Sequence, residues 1–210
     1  WSNKNEVNSS ELEKNWDIKK RGIICITFYS ALLQSGQTEV IDSLISELQK
    51  NYNCLPIYAK SFKDKTNAEL TTYLLKKYAP ISLINLTGFS LKQDSSNNTT
   101  VFDGGLRIVF QAILSSMSEH EWSHSHKGMN NRDIIMSVSL PEIDGRLITK
   151  TIAFKEKVRF DSLTQTDLLE YQPNKFGIEY LCGLIKNWAD LHTLKNSEKN
   201  FETISNYTNK

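Results

Sequence analysis

Along the chain, short unbroken apolar runs alternate with longer stretches in which apolar residues recur at helical spacing. Gly22-Ile-Ile-Cys-Ile-Thr-Phe28 is a near-continuous run of β formers, the pattern of a strand buried on both faces of a parallel sheet. It is the predicted central strand. A loop over Ser30 to Gln37 leads to Thr38, which can cap a helix whose Ile41, Leu44, Ile45 and Leu48 fall at i, i+3, i+4 and i+7. The alternation then repeats: a strand over Cys54 to Ala59, a helix over Asn67 to Tyr78 with Leu70, Tyr73, Leu74 and Lys77 in register, and a strand over Pro80 to Leu86. Two right-handed βαβ crossovers place these strands side by side.

The wholly polar stretch Lys92 to Thr100 reads as a surface loop that separates this unit from a strand over Leu106 to Leu114. Beyond it the pattern predicts short helices over Ser118 to His126 and Asn131 to Ser139 and a strand over Leu147 to Phe154. A terminal helix over Ile178 to Leu194 turns Leu181, Leu184, Ile185, Trp188 and Leu191 inward. The fold class is α/β, a flavodoxin-like or Rossmann-like parallel sheet of four or five strands with helices on both faces. Residues 1–15 are expected as a flexible arm, 16–195 as one α/β domain, and 196–210 as the loosely ordered start of a following segment.

Composition narrows the partners. Lys and Arg total 25 against 24 for Asp and Glu, a net charge of +1, so nothing attracts a polyanion and nucleic acid is not expected. No run approaches the roughly 18 apolar residues that span a bilayer, and the polar Trp1 to Asn15 is unlike a signal peptide. A cytoplasmic protein without membrane contact is the expectation. Cys25, Cys54 and Cys182 then read as structural thiols, and the Asn-x-Ser/Thr triplets at Asn8, Asn85, Asn97, Asn98 and Asn206 as chance matches. A chain that starts with Trp is expected to be part of a longer natural sequence.

The most specific motif is Val138-Ser-Leu-Pro-Glu-Ile-Asp-Gly-Arg146, followed by Ile152-Ala-Phe-Lys-Glu156. Supporting it are Gly22 to Ser30 with Gly36 to Leu44, Leu55-Pro-Ile57, Ser61-Phe-Lys-Asp64, Val109 to Ser115, Trp122 and Lys127-Gly-Met129. Together these resemble the CobN and magnesium chelatase H-subunit family over about residues 17–195, and its cobalt branch in particular. The resemblance implies a domain of a large, tetrapyrrole-binding cobaltochelatase subunit in cobalamin biosynthesis. It also implies cobalt and ATP for the full complex, with ATP hydrolysed on separate ATPase subunits and no cofactor bound by this chain. The family's His-Gly-x-x-Glu-Trp-Leu-Pro-Gly motif, to which metal insertion is attributed, does not occur in these residues. The resemblance therefore carries no catalytic residue over, and the chain alone is expected to be inactive.

Inserting a divalent ion into such a ring strips water from the metal and removes two protons from ring nitrogens, which calls for carboxylates or imidazoles in a partly dry cleft. In Pro141 to Gly145, Pro fixes φ and Gly permits a reversal, so Glu142 and Asp144 are expected on one side of an extended turn. Glu142, Asp144, Gly145 and Arg146 are the candidates for lining the tetrapyrrole cleft. The alternative is a structural corner whose Asp accepts backbone N–H groups. His120 and His124, four apart in Glu119-His-Glu-Trp-Ser-His-Ser-His126, are a weaker metal candidate against a solvated helix face. The Phe28 to Thr38 segment lacks the glycine pattern of a phosphate loop. Trp16, Trp122 and Trp188 read as packing, and Lys19-Lys20-Arg21 as a solvated entry to the first strand. The other class of function open to such a fold is a stand-alone small-ligand or protein-interaction domain without catalysis.

Overall fold

The structure is a computed structural model that describes residues 9–91, 100–102, 108–126 and 128–195. The stretches 1–8 and 196–210, with most of the expected loop at 92–100, lie outside the described residues. Strand β1 (Ile23–Tyr29) sends Ile24, Ile26 and Phe28 into one hydrophobic cluster and Cys25 into another on the opposite face. Both faces are covered, which is why the run is apolar without alternation. Strands β2 (Asn53–Ala59) and β3 (Ser82–Asn85) flank β1, both parallel to it. Strands β4 (Ile108–Leu114) and β5 (Leu147–Asp161) continue the parallel sheet, and β6 (Thr166–Pro173) adds antiparallel to β5. The six-stranded order is β2-β1-β3-β4-β5-β6. The chain thus leaves β1 one way toward β2 and returns past it to β3, and in open α/β sheets ligands bind outside the carboxyl ends of the strands at such a reversal.

Helix α3 (Glu39–Leu48) buries Val40, Ile41, Leu44, Ile45 and Leu48 on one face of the sheet, as its spacing predicts. On the same face lies α8 (Lys175–Lys195), through Ile178, Leu181, Ile185 and Ala189. A Cβ on Gly177 would stand 2.0 Å from the Thr151 carbonyl oxygen, so the absence of a side chain there sets how closely α8 approaches β5. The stripe 178, 181, 185, 189 carries Leu191 about 200° round from Ala189, and Leu191 is half exposed instead of inward. Helix α4 (Lys65–Tyr78) covers the other face. Beside it is α1 (Ser9–Lys14), an element that its polar composition did not announce, with Leu12 packed in the same cluster. Glu13 of α1 accepts hydrogen bonds from Lys77 Nζ at 2.8 Å and the Tyr78 hydroxyl at 2.5 Å.

Several elements differ from the sequence reading. The inward stripe of α4 is Thr71, Leu74, Leu75 and Tyr78, one residue round from the expected one, and Leu70 and Tyr73 are 54% and 59% exposed. Both stripes satisfy helical spacing, and contact with the sheet selects between them. The start of the expected loop at 30–37 is the short helix α2 (Ser30–Gln34). Helix α5 (Glu119–His124) starts at a Ser118–Glu121 capping box. The helix expected at 131–139 is α6 (Asn131–Ile134), a π-helical turn over Ile135–Ser139, and then α7 (Leu140–Ile143). Strand β5 runs on to Asp161 and pairs with β6 as a two-stranded ribbon. Val158 and Phe160 alternate there with Lys157, Arg159 and Asp161 but are about half exposed, and the sequence reading, which followed buried runs, ended the strand early and missed β6. Among the described residues no helix is long and apolar enough to cross a membrane.

Candidate functional site

A cavity of about 600 Å³ opens at the carboxyl ends of β1, β2 and β3. Tyr29 and the first turn of α2 wall it on one side, Lys60 to Lys63 after β2 on another, and Phe89 and Leu91 after β3 on the third. Phe62 forms its buried base, packed edge-on against Phe102 with centroids 5.7 Å apart. Phe89 is 48% exposed and has φ +65°, a left-handed conformation that an aromatic residue adopts only where surrounding contacts impose it.

Those contacts form one buried polar network. The Thr27 and Thr87 hydroxyls donate to Asn85 Oδ1 at 2.8 and 2.9 Å, and Asn85 Nδ2 donates to the Thr87 carbonyl at 2.7 Å and Gln111 Oε1 at 2.8 Å. Arg146 Nη1 donates to Gln111 Oε1 at 2.9 Å, and Nη2 to the Phe89 carbonyl at 3.2 Å and Asp144 Oδ2 at 2.6 Å. The Asp144 carboxylate also accepts from the Ser90 hydroxyl at 2.5 Å and the Leu91 amide at 2.6 Å. From the π-helical turn, the Met136 carbonyl accepts from the Phe89 amide at 3.0 Å. A Cβ on Gly88 would approach the same oxygen to 3.0 Å, so glycine suits that close crossing. The Tyr29 hydroxyl donates to the Gly88 carbonyl at 3.3 Å, and burial pushes its pKa up. The 87–91 loop is thus held from behind at almost every residue, and Phe89 is presented to the cavity.

Burial lowers the Arg146 pKa while Asp144 opposes the shift, and a guanidinium remains charged at neutral pH through such a change. Its side chain is 2% exposed and that of Asp144 0%. The guanidinium carbon also lies 5.7 Å from the centroid of the Phe102 ring.

The four residues read from the Pro-Glu-Ile-Asp-Gly-Arg signature therefore separate. The chain is helical through Ile143, so Glu142 and Asp144 do not share a side: Glu142 is exposed, and the Asp144 side chain points inward. The expected extended turn is corrected to a helix end, closed by Gly145 at φ +74°. Asp144 and Arg146 stand behind the cavity wall and outside its lining. His120 and His124 stack on the exposed α5 with centroids 4.2 Å apart, and His124 Nδ1 lies 2.9 Å from the His120 carbonyl oxygen. Among the described residues, no three or more His, Cys, Asp or Glu are grouped so as to hold a metal ion. Trp16 Nε1 donates to the Cys54 carbonyl at 3.2 Å, and Trp122 packs edge-on against Phe154 at 5.2 Å. Lys20 Nζ donates to the Gln49 carbonyl at 2.6 Å, and Arg21 pairs with Asp190. Cys25, Cys54 and Cys182 form no disulfide, and burial pushes the Cys54 and Cys182 thiols up to about 12. Lys60, Phe89 and Gln111 escaped the sequence reading as site residues, and Tyr29 entered it only within the Phe28 to Thr38 segment. The one available signal was amide and hydroxyl residues placed where strands should be apolar, at Thr27, Asn85 and Gln111.

A family model described as CobN/Magnesium Chelatase matches residues 1–208. The aerobic cobaltochelatase subunit CobN of Sinorhizobium sp is 29% identical over 188 residues, 88% of this chain and 15% of that protein. Its counterpart in Pseudomonas aeruginosa is 27% identical over 189 residues, 89% of this chain and again 15% of the relative. The catalytic subunit of cobaltochelatase from Mycobacterium tuberculosis superposes with a TM-score of 0.57 over 80% of this chain and 14% of its own, at 18% identity, a likeness of fold. The chain thus spans about 15% of the length of the curated relatives it matches. With the family model matching almost end to end, the chain belongs to the CobN/magnesium chelatase family.

Proposed function

We propose that this chain is one domain of the large, tetrapyrrole-binding subunit of an ATP-dependent cobaltochelatase that acts in the cytoplasm in cobalamin biosynthesis. Its part is to shape and hold one wall of the tetrapyrrole cleft. Family membership supports the reading, and one observation carries the structural part: the signature's Asp144 and Arg146 brace the loop that presents Phe89 to a cavity at the strand reversal. Metal insertion needs a base for the ring protons. Asp144 is engaged by Arg146, Ser90 and Leu91 and is not free to serve as one, so chemistry is assigned to the remainder of the subunit. Asp144, Gly145 and Arg146 act on the cleft through the loop, and Glu142 faces outward where it can meet another part of the complex. ATP is assigned to separate ATPase subunits, because the segment after β1 offers no glycine cradle for its phosphates.

Grafting the chain in place of the matching segment of a full-length cobaltochelatase large subunit tests this reading. Retained cobalt insertion with the ATPase subunits supports it, and a folded, assembled but inactive graft counts against it. Cobalt insertion by the 210-residue chain with ATPase subunits alone would overturn it. The strand order and the crevice at its reversal favour one other reading, a stand-alone small-ligand domain without catalysis. That reading expects a flavin or nucleotide to copurify with the chain.

A further inference from the structure

The ribbon of β5 and β6 leaves the body of the domain. Strand β5 makes its last pairing with β4 between Leu114 and Ala153 and runs on to Asp161, roughly 25 Å further at about 3.3 Å per residue. Because β4 and β5 are parallel, this arm projects past the carboxyl ends of the strands, the end on which the crevice opens. From Lys157 to Glu170 every residue except Asp161 and Leu168 is exposed. Among the described residues, the side-chain hydrogen bonds and the ion pair along Lys157 to Leu169 all stay within the ribbon.

A two-stranded ribbon is marginally stable in water unless one face packs against something. This one displays Val158 at 49%, Phe160 at 53%, Leu169 at 44% and Leu163 at 93% exposed. Phe160 lies opposite Asp167 and Lys157 opposite Leu169 across the ladder, which sets Phe160 and Leu169 on one face. Lys157 orders that face: its Nζ lies 2.7 Å from Asp167 Oδ1 and 5.9 Å from the centroid of the Phe160 ring. At the tip the Leu163 amide donates to Asp161 Oδ1 at 2.9 Å, and Gln165 Nε2 donates to the Ser162 carbonyl at 2.7 Å. The turn is closed, and Leu163 points outward from it.

We propose that the ribbon is a docking arm that seats Phe160, Leu163 and Leu169 in an apolar surface of the same large subunit, in polypeptide outside this chain. The inference rests on the reading of the chain as one domain of that subunit. Length argues for this occupant: the chain spans 15% of the curated relatives, so the domain has to be seated in a much larger polypeptide. Position argues for it too, because the arm projects on the side where the rest of the subunit has to close the cleft. A second copy fits poorly. Two β6 edges paired antiparallel about Leu168 and Leu169 would set Asp167 against Glu170, like charges that oppose pairing, and the register shift between Lys157 and Arg159 twists the ribbon. A cycling ATPase subunit fits poorly as well. A surface that returns to water between encounters is polar, whereas permanent interfaces bury large apolar side chains.

Amide hydrogen exchange, read by mass spectrometry, compares the 210-residue chain with the same chain grafted into a full-length cobaltochelatase large subunit. Peptides covering Lys157 to Leu169 are expected to exchange within about tenfold of the unstructured rate in the chain alone, and about a hundredfold or more slower in the graft. The Phe160→Ser, Leu163→Ser double variant should leave the urea midpoint of the isolated chain unchanged and remove about tenfold or more of the protection in the graft. Protection within about twofold of the parent in that variant would overturn the anchor assignment. A graft that inserts cobalt with its ribbon unprotected would overturn the arm and leave the domain reading in place; a folded, inactive graft with its ribbon protected would do the reverse. Protection in the isolated chain that rises with concentration would mark a second copy, and protection there at every dilution would mark cover by the chain's own residues. Protection that appears in the graft on adding ATPase subunits would mark those subunits as the partner. Each of these three outcomes overturns the proposal.

Discussion

Asp144→Ala isolates the brace. In the parent the carboxylate is fully buried and accepts hydrogen bonds at 2.5 Å from the Ser90 hydroxyl, 2.6 Å from the Leu91 amide and 2.6 Å from Arg146 Nη2. Its removal leaves the Arg146 guanidinium, 2% exposed, with neutral acceptors only, and strips the Leu91 amide of that acceptor. Deleting one partner of a buried ion pair costs about 3–5 kcal/mol, and an orphaned amide pushes toward the upper end. For a chain of 210 residues, each kcal/mol is worth roughly 2–4 °C, so a loss of about 4–5 kcal/mol lowers the midpoint of thermal unfolding by about 8–20 °C. The control is the pair Asp144→Asn with Arg146→Met, which keeps an acceptor for the Leu91 amide and leaves no cation behind. The double variant should be less destabilised than the sum of the singles by more than about 1 kcal/mol. Urea unfolding followed by far-ultraviolet circular dichroism gives all four corners of the cycle. A loss below about 1 kcal/mol in Asp144→Ala, or singles additive within about 0.5 kcal/mol, would refute the brace.

Gly177→Ala must force α8 away from β5, because the new Cβ would stand 2.0 Å from the Thr151 carbonyl oxygen, and it is expected to lose about 2–4 kcal/mol in urea unfolding. Gly183→Ala, in the same helix with nothing within 4 Å, should gain about 0.5–1 kcal/mol; equal effects at the two sites would contradict the helix placement. The Cys54 thiol, 3% exposed with its pKa near 12, ionises in the unfolded chain first, at about pH 8.5. Its contribution to stability is intact below that pH and is lost above it at about 1.4 kcal/mol per pH unit until the folded value is reached. Cys54→Ala should flatten that slope between about pH 9.5 and 11.5, and an unchanged slope would count against the assigned burial. The stacked His120 and His124 on an exposed helix are expected to hold the chain on nickel resin through one face of α5, with His124→Ala releasing it. Zinc or a chelator should shift the unfolding midpoint by less than about 1 °C.

Sequence alone determined the alternation of buried strands with amphipathic helices, and with it the α/β class. A near-continuous apolar run such as Ile23 to Phe28, and a 3.6-residue stripe such as Ile41 to Leu48, are periods written within a few residues. The Leu-Pro-Glu-Ile-Asp-Gly-Arg segment marked the family for the same reason, being contiguous. Tertiary structure decided which of two possible stripes on α4 faces inward, because Leu70 and Tyr73 fit helical spacing as well as Thr71 and Leu75 do, and only the sheet discriminates. It also decided that Glu142 faces solvent while Asp144, two residues on, is buried against Arg146. An acid on a polar helix end is equally at home in water or in an ion pair until a cation from elsewhere is brought to it. The crevice itself has no local trace. Tyr29, Lys60 and Phe89 are each about 30 residues apart, and they meet because three parallel strands end side by side with the order reversed between them.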